Sequence, residues 1–482
     1  MTWELARDYL WQFLIILNYL IAIIAAITVL LGNLNPTKTL SYLIVLIVFP
    51  FMGVIFYYFF GQEYRKNKLF KRKNVLNQTD IKLWETKFNH NKARLEKGPL
   101  SDKIKLIRLL KRNKLSPLTF KNKVELLING NHKFQRLFED ITKATQTIHV
   151  EYYILEDDTI GSQLIDLLCS KAEEGVEVRL SYDYVGSRVS AKSRRKLRRS
   201  GVEFHPFMPV YFPKFTSKLN HRNHRKIVVI DGKIGYMGGI NISDRYVNSE
   251  NNMYWRDTHL RLEGESVSVL QLHFMLHWDF VTPYDINVES YFFNSSPVSE
   301  KTAVQIAACG PDTDWASIME ATFTAINTAQ KYVYICTPYF IPNDEIIMAL
   351  VAGARSGIEI KLIIPEESDS WGAKYATYAF VKPLLEAGVQ VYLYTKGFIH
   401  AKVMLVDDVF STIGSANMDN RSFNINFEIN ALIYDEEFTA KVLESFNEDL
   451  TNSRQITLEE WNNRGIVQQL KEGFCRLWAP LL

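Results

Sequence analysis

The strongest constraint on how this chain can fold is that it repeats itself. The stretch "NHRKIVVIDGKIGYMGGIN" at 223–241 returns as "IHAKVMLVDDVFSTIGSAN" at 399–417. His224, Lys226, Asp231 and Asn241 thereby match His400, Lys402, Asp407 and Asn417 at a constant offset of 176 residues. Three upstream blocks recur in the same order: 138–155 with 323–341, 171–182 with 353–364, and 197–207 with 384–394. Four aligned blocks indicate one duplication into two homologous halves, unlike a solenoid of many short repeats. Within each half, apolar strand-like runs alternate with helical spacing. In the first, 124–128 reads as a strand, 129–131 as a turn, Phe134–Ala144 as helical, 147–155 as a strand, 161–175 as a helix closed by Gly175, and 176–186 as a strand. This predicts an α/β fold with crossover connections and a parallel-rich sheet in each half. The two halves are expected to form one pseudo-twofold unit.

The repeated stretch also carries polar chemistry. Residues i and i+2 of a strand face the same way, so His224 with Lys226, and His400 with Lys402, are expected on shared faces ahead of the apolar runs. A tight return through "IGYMGGIN" and "TIGSAN" would bring Asn241 beside His224 and Asn417 beside His400. Joined about a twofold axis, two lysines and two asparagines form a cradle for a phosphoryl group, with Ser415 as a further donor. Two imidazoles across it can divide nucleophilic attack from proton transfer. Such a site needs no metal or other cofactor, and Lys beside His is a poor metal-ligand set. Gly239 stands where the second copy has Ser415, so the first-half contacts would rest on Lys226 and Asn241.

Ahead of the repeat, Tyr9–Leu31 is a 23-residue apolar stretch, and Leu40–Phe60 is a second one with Pro50 near its middle. A helix over the first would be about 34 Å long, enough for a bilayer core of about 30 Å. The pair reads as a transmembrane hairpin at 1–60 rather than a cleaved signal. Arg65, Lys66, Lys68, Lys71, Arg72 and Lys73 follow it, whereas the hairpin loop holds only Lys38. This places the termini and the bulk of the chain on the cytoplasmic side, with a basic flank suited to anionic lipid. The expected organisation is then a basic juxtamembrane linker at 61–122, a first half at 123–295 and a second at 296–482. Net charge is only +3, so bulk charge predicts no nucleic-acid partner. Four scattered cysteines read as core thiols of a reducing compartment.

The two copies of His-x-Lys-x4-Asp, each closed by Gly-x-x-Asn, resemble the HKD motif of the phospholipase D superfamily. With the hairpin anchor, "WRDTHLRLEG" at 255–264, "TPYFIP" at 337–342 and "NMDNRSFNINFE" at 417–428, the chain resembles the two-span bacterial cardiolipin synthases over nearly its whole length. The resemblance implies transfer of a phosphatidyl group between two phosphatidylglycerol molecules, giving cardiolipin and glycerol through a phosphohistidine. It implies His224 as nucleophile and His400 as general acid. It also implies a later acid orienting each histidine: Glu428, 28 residues after His400, and Asp257, 33 residues after His224. Asp231 and Asp407 complete the motif, with a structural role at turns. Rival readings share the site but change the acceptor: a membrane-bound phospholipase D or a phosphatidylserine synthase. A superfamily nuclease gains nothing from two spans, and a non-catalytic membrane scaffold would not need both polar sets.

Three other stretches stand out. Arg194–Arg199 with Lys192 and Arg188 is a basic patch, read as a solvated helix face or a headgroup contact. Phe204–Phe215, rich in aromatics and proline, is expected to be irregular and interfacial. The C-terminal "LKEGFCRLWAPLL" is expected to be a packed amphipathic helix.

Overall fold

The computed structural model describes residues 3–31, 36–49, 51–54, 101–112, 115–209, 221–250, 252–282, 298–313 and 315–479. These fall into two compact units, an N-terminal helical unit and the body that carries both repeats. In the first unit, helix α1 (Trp3–Leu31) runs 29 residues, six residues earlier than the apolar stretch. Its Arg7–Leu31 segment is, among the described residues, the one helix long and apolar enough to cross a bilayer. Helix α2 (Pro36–Val48) opens on a proline, whose fixed φ and missing N–H suit a first helical position. Ala25, Val29 and Leu46 bury together between them. The second expected span is described only to residue 54, and its remainder, with the basic flank at 65–73, lies outside the described residues.

The described residues of the body hold two large sheets with one topology, beside two small two-stranded ones. The first half contributes β1 (Asn122–Ile128), β2 (Thr147–Tyr152), β3 (Glu177–Asp183), β4 (Glu203–Phe207), β5 (Ile227–Ile230), β6 (Ile234–Gly238) and β7 (Thr258–Gly264). The second contributes β8 (Ala303–Cys309), β9 (Tyr332–Cys336), β10 (Glu359–Pro365), β11 (Gln390–Tyr394), β12 (Val403–Val406), β13 (Phe410–Gly414) and β14 (Glu428–Tyr434). The spatial orders are β1-β7-β6-β5-β2-β3-β4 and β8-β14-β13-β12-β9-β10-β11, so strand for strand the halves agree. Leu118–Thr119 and Ser453–Ile456 extend the second sheet at its edges. Each large sheet is mixed rather than parallel-rich. Only β2-β3-β4 and β9-β10-β11 are parallel. The motif strand β5 or β12 turns straight back as a hairpin, which makes every remaining pairing antiparallel.

Alternation along the motif strands welds the halves. Ile227 and Val229 point into an apolar layer shared with Val403, Leu405 and Ile429 of the second sheet. Val228 and Ile230 point outward to the first half's helices, and Met404 and Val406 to the second's. Ile227, Val229, Leu405 and Ile429 are fully buried. Each is worth about 1.5–3 kcal/mol, against about 1 kcal/mol net for a hydrogen bond. Apolar packing therefore sets the distance between the halves. The helix Glu265–Val281, buried along most of its length, joins the same layer and links the two repeats.

Several local expectations change. The 129–131 turn instead begins the helix Asn129–Thr142. The aromatic stretch starts as edge strand β4, where Pro206 needs no ladder N–H, and 210–220 lies outside the described residues. Helix Ile104–Lys111, within the segment read as linker, buries Leu106, Ile107 and Leu110 in the second half's core. The four cysteines are buried thiols, none joined in a disulfide among the described residues.

Both motif aspartates sit at hairpin tips with left-handed backbone, φ 53° at Asp231 and 56° at Asp407. The Asp231 carboxylate accepts N–H bonds from Thr145, Gln146 and Thr147 at 2.7–3.0 Å. Asp407 does the same with Gln330, Lys331 and Tyr332, and also receives Lys103 Nζ at 2.6 Å. Each carboxylate thus ties a motif hairpin to the start of the strand beside it. Burial alone would raise both carboxyls, but these donors hold them below the usual range. The stability they supply is present above about pH 4 and lost as pH falls through the lowered folded value. Lys103 is fully buried, so Asp407→Ala strands its charge and is expected to cost about 3–5 kcal/mol. Asp231→Ala is expected to cost about 1–3 kcal/mol. Denaturant unfolding of the two variants side by side checks the difference.

Candidate active site

The histidine–lysine segments do not lie within strands, as the i, i+2 argument supposed. They precede β5 and β12 and pair across the halves instead. Asn223 bridges Phe427, and the His224 N–H donates to the Phe427 carbonyl at 2.9 Å. In the mirror arrangement, Phe398–Ile399 pairs in parallel with Trp255–Arg256, and the His400 N–H donates to the Arg256 carbonyl at 2.7 Å. Each histidine is thereby held one residue away from the acid that begins or precedes the other half's strand.

The carboxylates consequently cross. His224 Nδ1 lies 2.9 Å from Glu428, and His400 Nδ1 lies 2.7 Å from Asp257. The family resemblance implies Glu428 for His400 and Asp257 for His224; the cross-half strand pairing reverses both. A carboxylate only accepts, so each Nδ1 carries its hydrogen and each Nε2 keeps its lone pair. Both imidazoles are almost fully buried. Burial holds His224 down to about 4 despite Glu428, with Lys226 and Lys402 adding to the effect. Burial likewise lowers His400, with Lys402 and Lys226 contributing. Burial raises Glu428, but His224, Lys226 and Ser415 outweigh it and keep the carboxyl below its usual range. The resting pair at neutral pH is a neutral imidazole on a carboxylate anion.

Lys226 and Lys402 are buried, and each ammonium donates to the carbonyl of its own histidine, at 2.6 Å and 2.5 Å. Burial brings Lys226 down to about 7, with Lys402 adding to the effect, and Lys402 down to about 8 despite Asp257 and Glu428. Two cations and two imidazoles from opposite halves therefore share one field. That field is repulsive until an anion enters, which suits a phosphoryl group.

The remaining expected residues divide. Asn417 keeps Oδ1 without a hydrogen-bond partner among the described residues while largely buried. Asn241 is used internally: Oδ1 accepts from the Ile154 N–H at 3.1 Å and Nδ2 donates to the Tyr246 hydroxyl at 2.6 Å. Ser415 points its hydroxyl at Glu428, 2.5 Å away, and accepts from the Ile429 N–H. It braces the acid rather than presenting a donor to a phosphate. The glycine at 239 has the matching explanation. A Cβ there would lie 2.1 Å from Asp257 Oδ1. The second half uses a longer acid braced by a serine; the first uses a shorter acid seated directly over a glycine. The aspartates at 231 and 407 stand at the far ends of β5 and β12, where they pin the hairpins.

Residues the sequence reading passed over complete the framework. Arg225, between His224 and Lys226, donates from Nε to the Glu428 carbonyl at 3.3 Å and lies over Phe427. Arg256 pairs with Asp449 at 2.7 Å and donates to the Asp257 carbonyl at 2.7 Å. Asn223 donates to Glu151 at 2.7 Å, and burial raises that carboxyl to about 7. The "WRD" and "NFE" stretches carried this signal, since each places a large side chain beside an acid that the other half must recognise. The basic helix Ala191–Arg199 presents an exposed face, with Lys196 paired to Asp166.

Comparison with known proteins agrees with this architecture. The family model described as the phospholipase D-like domain of cardiolipin synthase matches 137–278 and 323–450, and one for the N-terminal segment of phospholipase D–nuclease proteins matches 20–62. The chain is 40% identical over 459 residues to a cardiolipin synthase of Halalkalibacterium halodurans, covering 95% of this chain and 91% of that one. It is 39% identical over 464 residues to cardiolipin synthase 2 of Bacillus anthracis, covering 96% and 90%. The crystal structure of a phosphatidylserine synthase from Haemophilus influenzae superposes with a TM-score of 0.60 at 18% identity, over 78% of this chain and 100% of that one, and so shares the fold.

The glycine–aspartate fit gives a sharp expectation. Gly239→Ala displaces Asp257 and lets the His400 ring turn, so turnover should fall by about a hundredfold or more. Ser415→Ala leaves Glu428 its His224 and Lys226 partners and should cost about tenfold. Steady-state rates of the two purified variants compare them.

Proposed function

The chain belongs to the cardiolipin synthase family of the phospholipase D superfamily, and on that footing we propose how its own residues join two phosphatidylglycerol molecules into cardiolipin and glycerol. The carrying observation is the crossed pair of imidazole–carboxylate contacts, which leaves two Nε2 atoms free in a field set by two lysines. His224, held neutral, attacks the phosphorus of the first phosphatidylglycerol through Nε2. The bond from phosphorus to the glycerol oxygen breaks; His400, neutral at rest, takes up a proton from water as the phosphate anion offsets the field of the two lysines, and gives it from Nε2 to that oxygen. The Asp257 carboxylate, 2.7 Å from Nδ1, stabilises the imidazolium while it forms. The glycerol hydroxyl of a second phosphatidylglycerol then loses its proton to His400 and attacks phosphorus. The phosphorus–nitrogen bond breaks, releasing cardiolipin and neutral His224. Lys226 and Lys402 line the phosphoryl group through the cycle, and Asn417 would serve it only as a donor, with its amide turned so that Nδ2 stands where the unpartnered Oδ1 now lies. Glu428 and Asp257 position the rings, Ser415 and Asn241 brace that framework, and Asp231 and Asp407 hold the hairpins.

The membrane-associated chain would cross the bilayer twice, over about 9–31 and 40–60, with the catalytic body on the cytoplasmic side. The basic run at 65–73 supports that orientation, and the same side supplies anionic lipid as substrate. The halves at 123–295 and 296–482 act as one catalytic unit, with residues 101–119 lent to the second.

Purified protein given glycerol-labelled phosphatidylglycerol is expected to yield cardiolipin and free labelled glycerol. Phosphatidic acid alone, or a product formed only with added serine, overturns the synthase assignment. Quenching turnover with denaturing detergent at mildly alkaline pH, where a phosphorus–nitrogen bond survives, should trap phosphatidyl label on the protein, absent from His224→Ala and retained in His400→Ala. Because each lysine must be cationic to receive the phosphate, kcat/KM is expected to decline as pH rises past about 7–8. Lys402→Met should lower activity and remove one step of that decline in a pH–rate profile.

A further inference from the structure

The helix Ile466–Arg476 is inverted. On its turns, Ile466, Val467, Leu470, Phe474, Leu477 and Trp478 all fall within one arc of about 120° at 100° per residue. All six are exposed, from 45% at Trp478 to 76% at Leu477. The opposite side is the buried one, and it carries Glu472 and Cys475. Glu472 is bonded there to Arg464 at 2.6 Å. A helix that docked for its own apolar burial would present the other face, so the expectation of a packed amphipathic helix holds only for its polar side. Single exposed apolar residues are ordinary, but a contiguous stripe of this kind marks an interaction surface.

Its surroundings indicate the occupant. Lys471 is exposed on one border of the stripe, while the acid of the helix is turned inward and paired. Trp371, exposed on the neighbouring helix Trp371–Tyr378 that packs against this one, adds a second indole. Tryptophan, large aliphatics and a bordering cation form the pattern of a helix lying in a membrane interface. The chain also carries the bilayer-length helix Arg7–Leu31, so its body stays close to a lipid surface whatever else binds it.

We propose that the Ile466–Trp478 face is a second membrane contact, which lies in the headgroup region of an anionic leaflet. It is separate from the N-terminal helix and from the catalytic groups. The surface would help hold the body at a fixed height, where a lipid phosphate can reach a buried site while its acyl chains stay in the bilayer. The inference rests on membrane association and not on which product the enzyme makes.

The test uses the full chain reconstituted into vesicles of about equal phosphatidylglycerol and phosphatidylcholine. Leu470→Cys, Phe474→Cys and Glu459→Cys are each labelled with an environment-sensitive fluorophore, the last being a control off the stripe. Labels at 470 and 474 should shift to the blue, resist aqueous iodide and be quenched by lipids spin-labelled near the headgroup. The control label should remain open to iodide. Replacing phosphatidylglycerol with phosphatidylcholine should weaken the protection. Water-accessible labels at 470 and 474 would overturn the proposal. So would protection that persists in neutral detergent and depends on protein concentration, which would identify a second copy as the occupant. A labelled His400→Ala background should give the same depth, separating this result from the fate of the synthase assignment. In active protein, Leu470→Glu with Phe474→Glu should raise the apparent KM for vesicle lipid at least about tenfold. It should leave kcat on a short-chain, water-dispersed phosphatidylglycerol unchanged.

Discussion

Everything at the centre of this protein depends on two short backbone pairings between the halves. The Asn223–His224 segment lies against Phe427, and Phe398–His400 lies against Trp255–Arg256. These contacts put each histidine next to an acid of the other repeat, so neither half alone contains an oriented imidazole. They survive because the apolar layer from β5, β7, β12 and β14 fixes the separation of the sheets. A misfit of one ångström there would lengthen a 2.7 Å contact beyond hydrogen-bond range. Catalytic geometry in this fold is a product of core packing.

The duplicated halves have diverged in a compensated way. Where the acid is glutamate, a serine hydroxyl occupies the space under its carboxylate. Where it is aspartate, the chain offers glycine, because Oδ1 already fills the volume that a Cβ would need. One methylene in the acid is exchanged against one small side chain beneath it. The result is two carboxylate–imidazole pairs of nearly equal length but different bracing, a physical basis for unequal roles within a symmetric frame.

The site's electrostatics follow from burial. Two lysines, two imidazoles and two carboxylates are withdrawn from water, and the lysines repel one another. An entering phosphate anion relieves that repulsion, which makes the resting state poised for a phosphodiester. The same burial keeps His224 unprotonated and its lone pair available. Elsewhere, the fold uses buried charge for stability, as at Lys103 and Asp407, where a helix upstream of the first repeat is anchored to the second.

The amino-acid sequence by itself determined the duplication, the two motifs, the α/β character and the apolar N-terminal helix. These are local or periodic signals, readable because hydrophobic alternation and a constant offset need no knowledge of long-range contacts. The acids Asp257 and Glu428 came from the family resemblance, which paired them within each half, since spacing along a chain says nothing about which strand edge lies opposite. Only the tertiary structure decided that the pairs cross, that Ser415 braces an acid, that Asn241 is spent on Tyr246 and the Ile154 N–H, and that Gly239 makes room for a carboxylate. It also turned the apolar face of the last helix outward. Each of these depends on atoms brought together from segments far apart in sequence, where packing between surfaces, and not the pattern within either one, fixes the geometry.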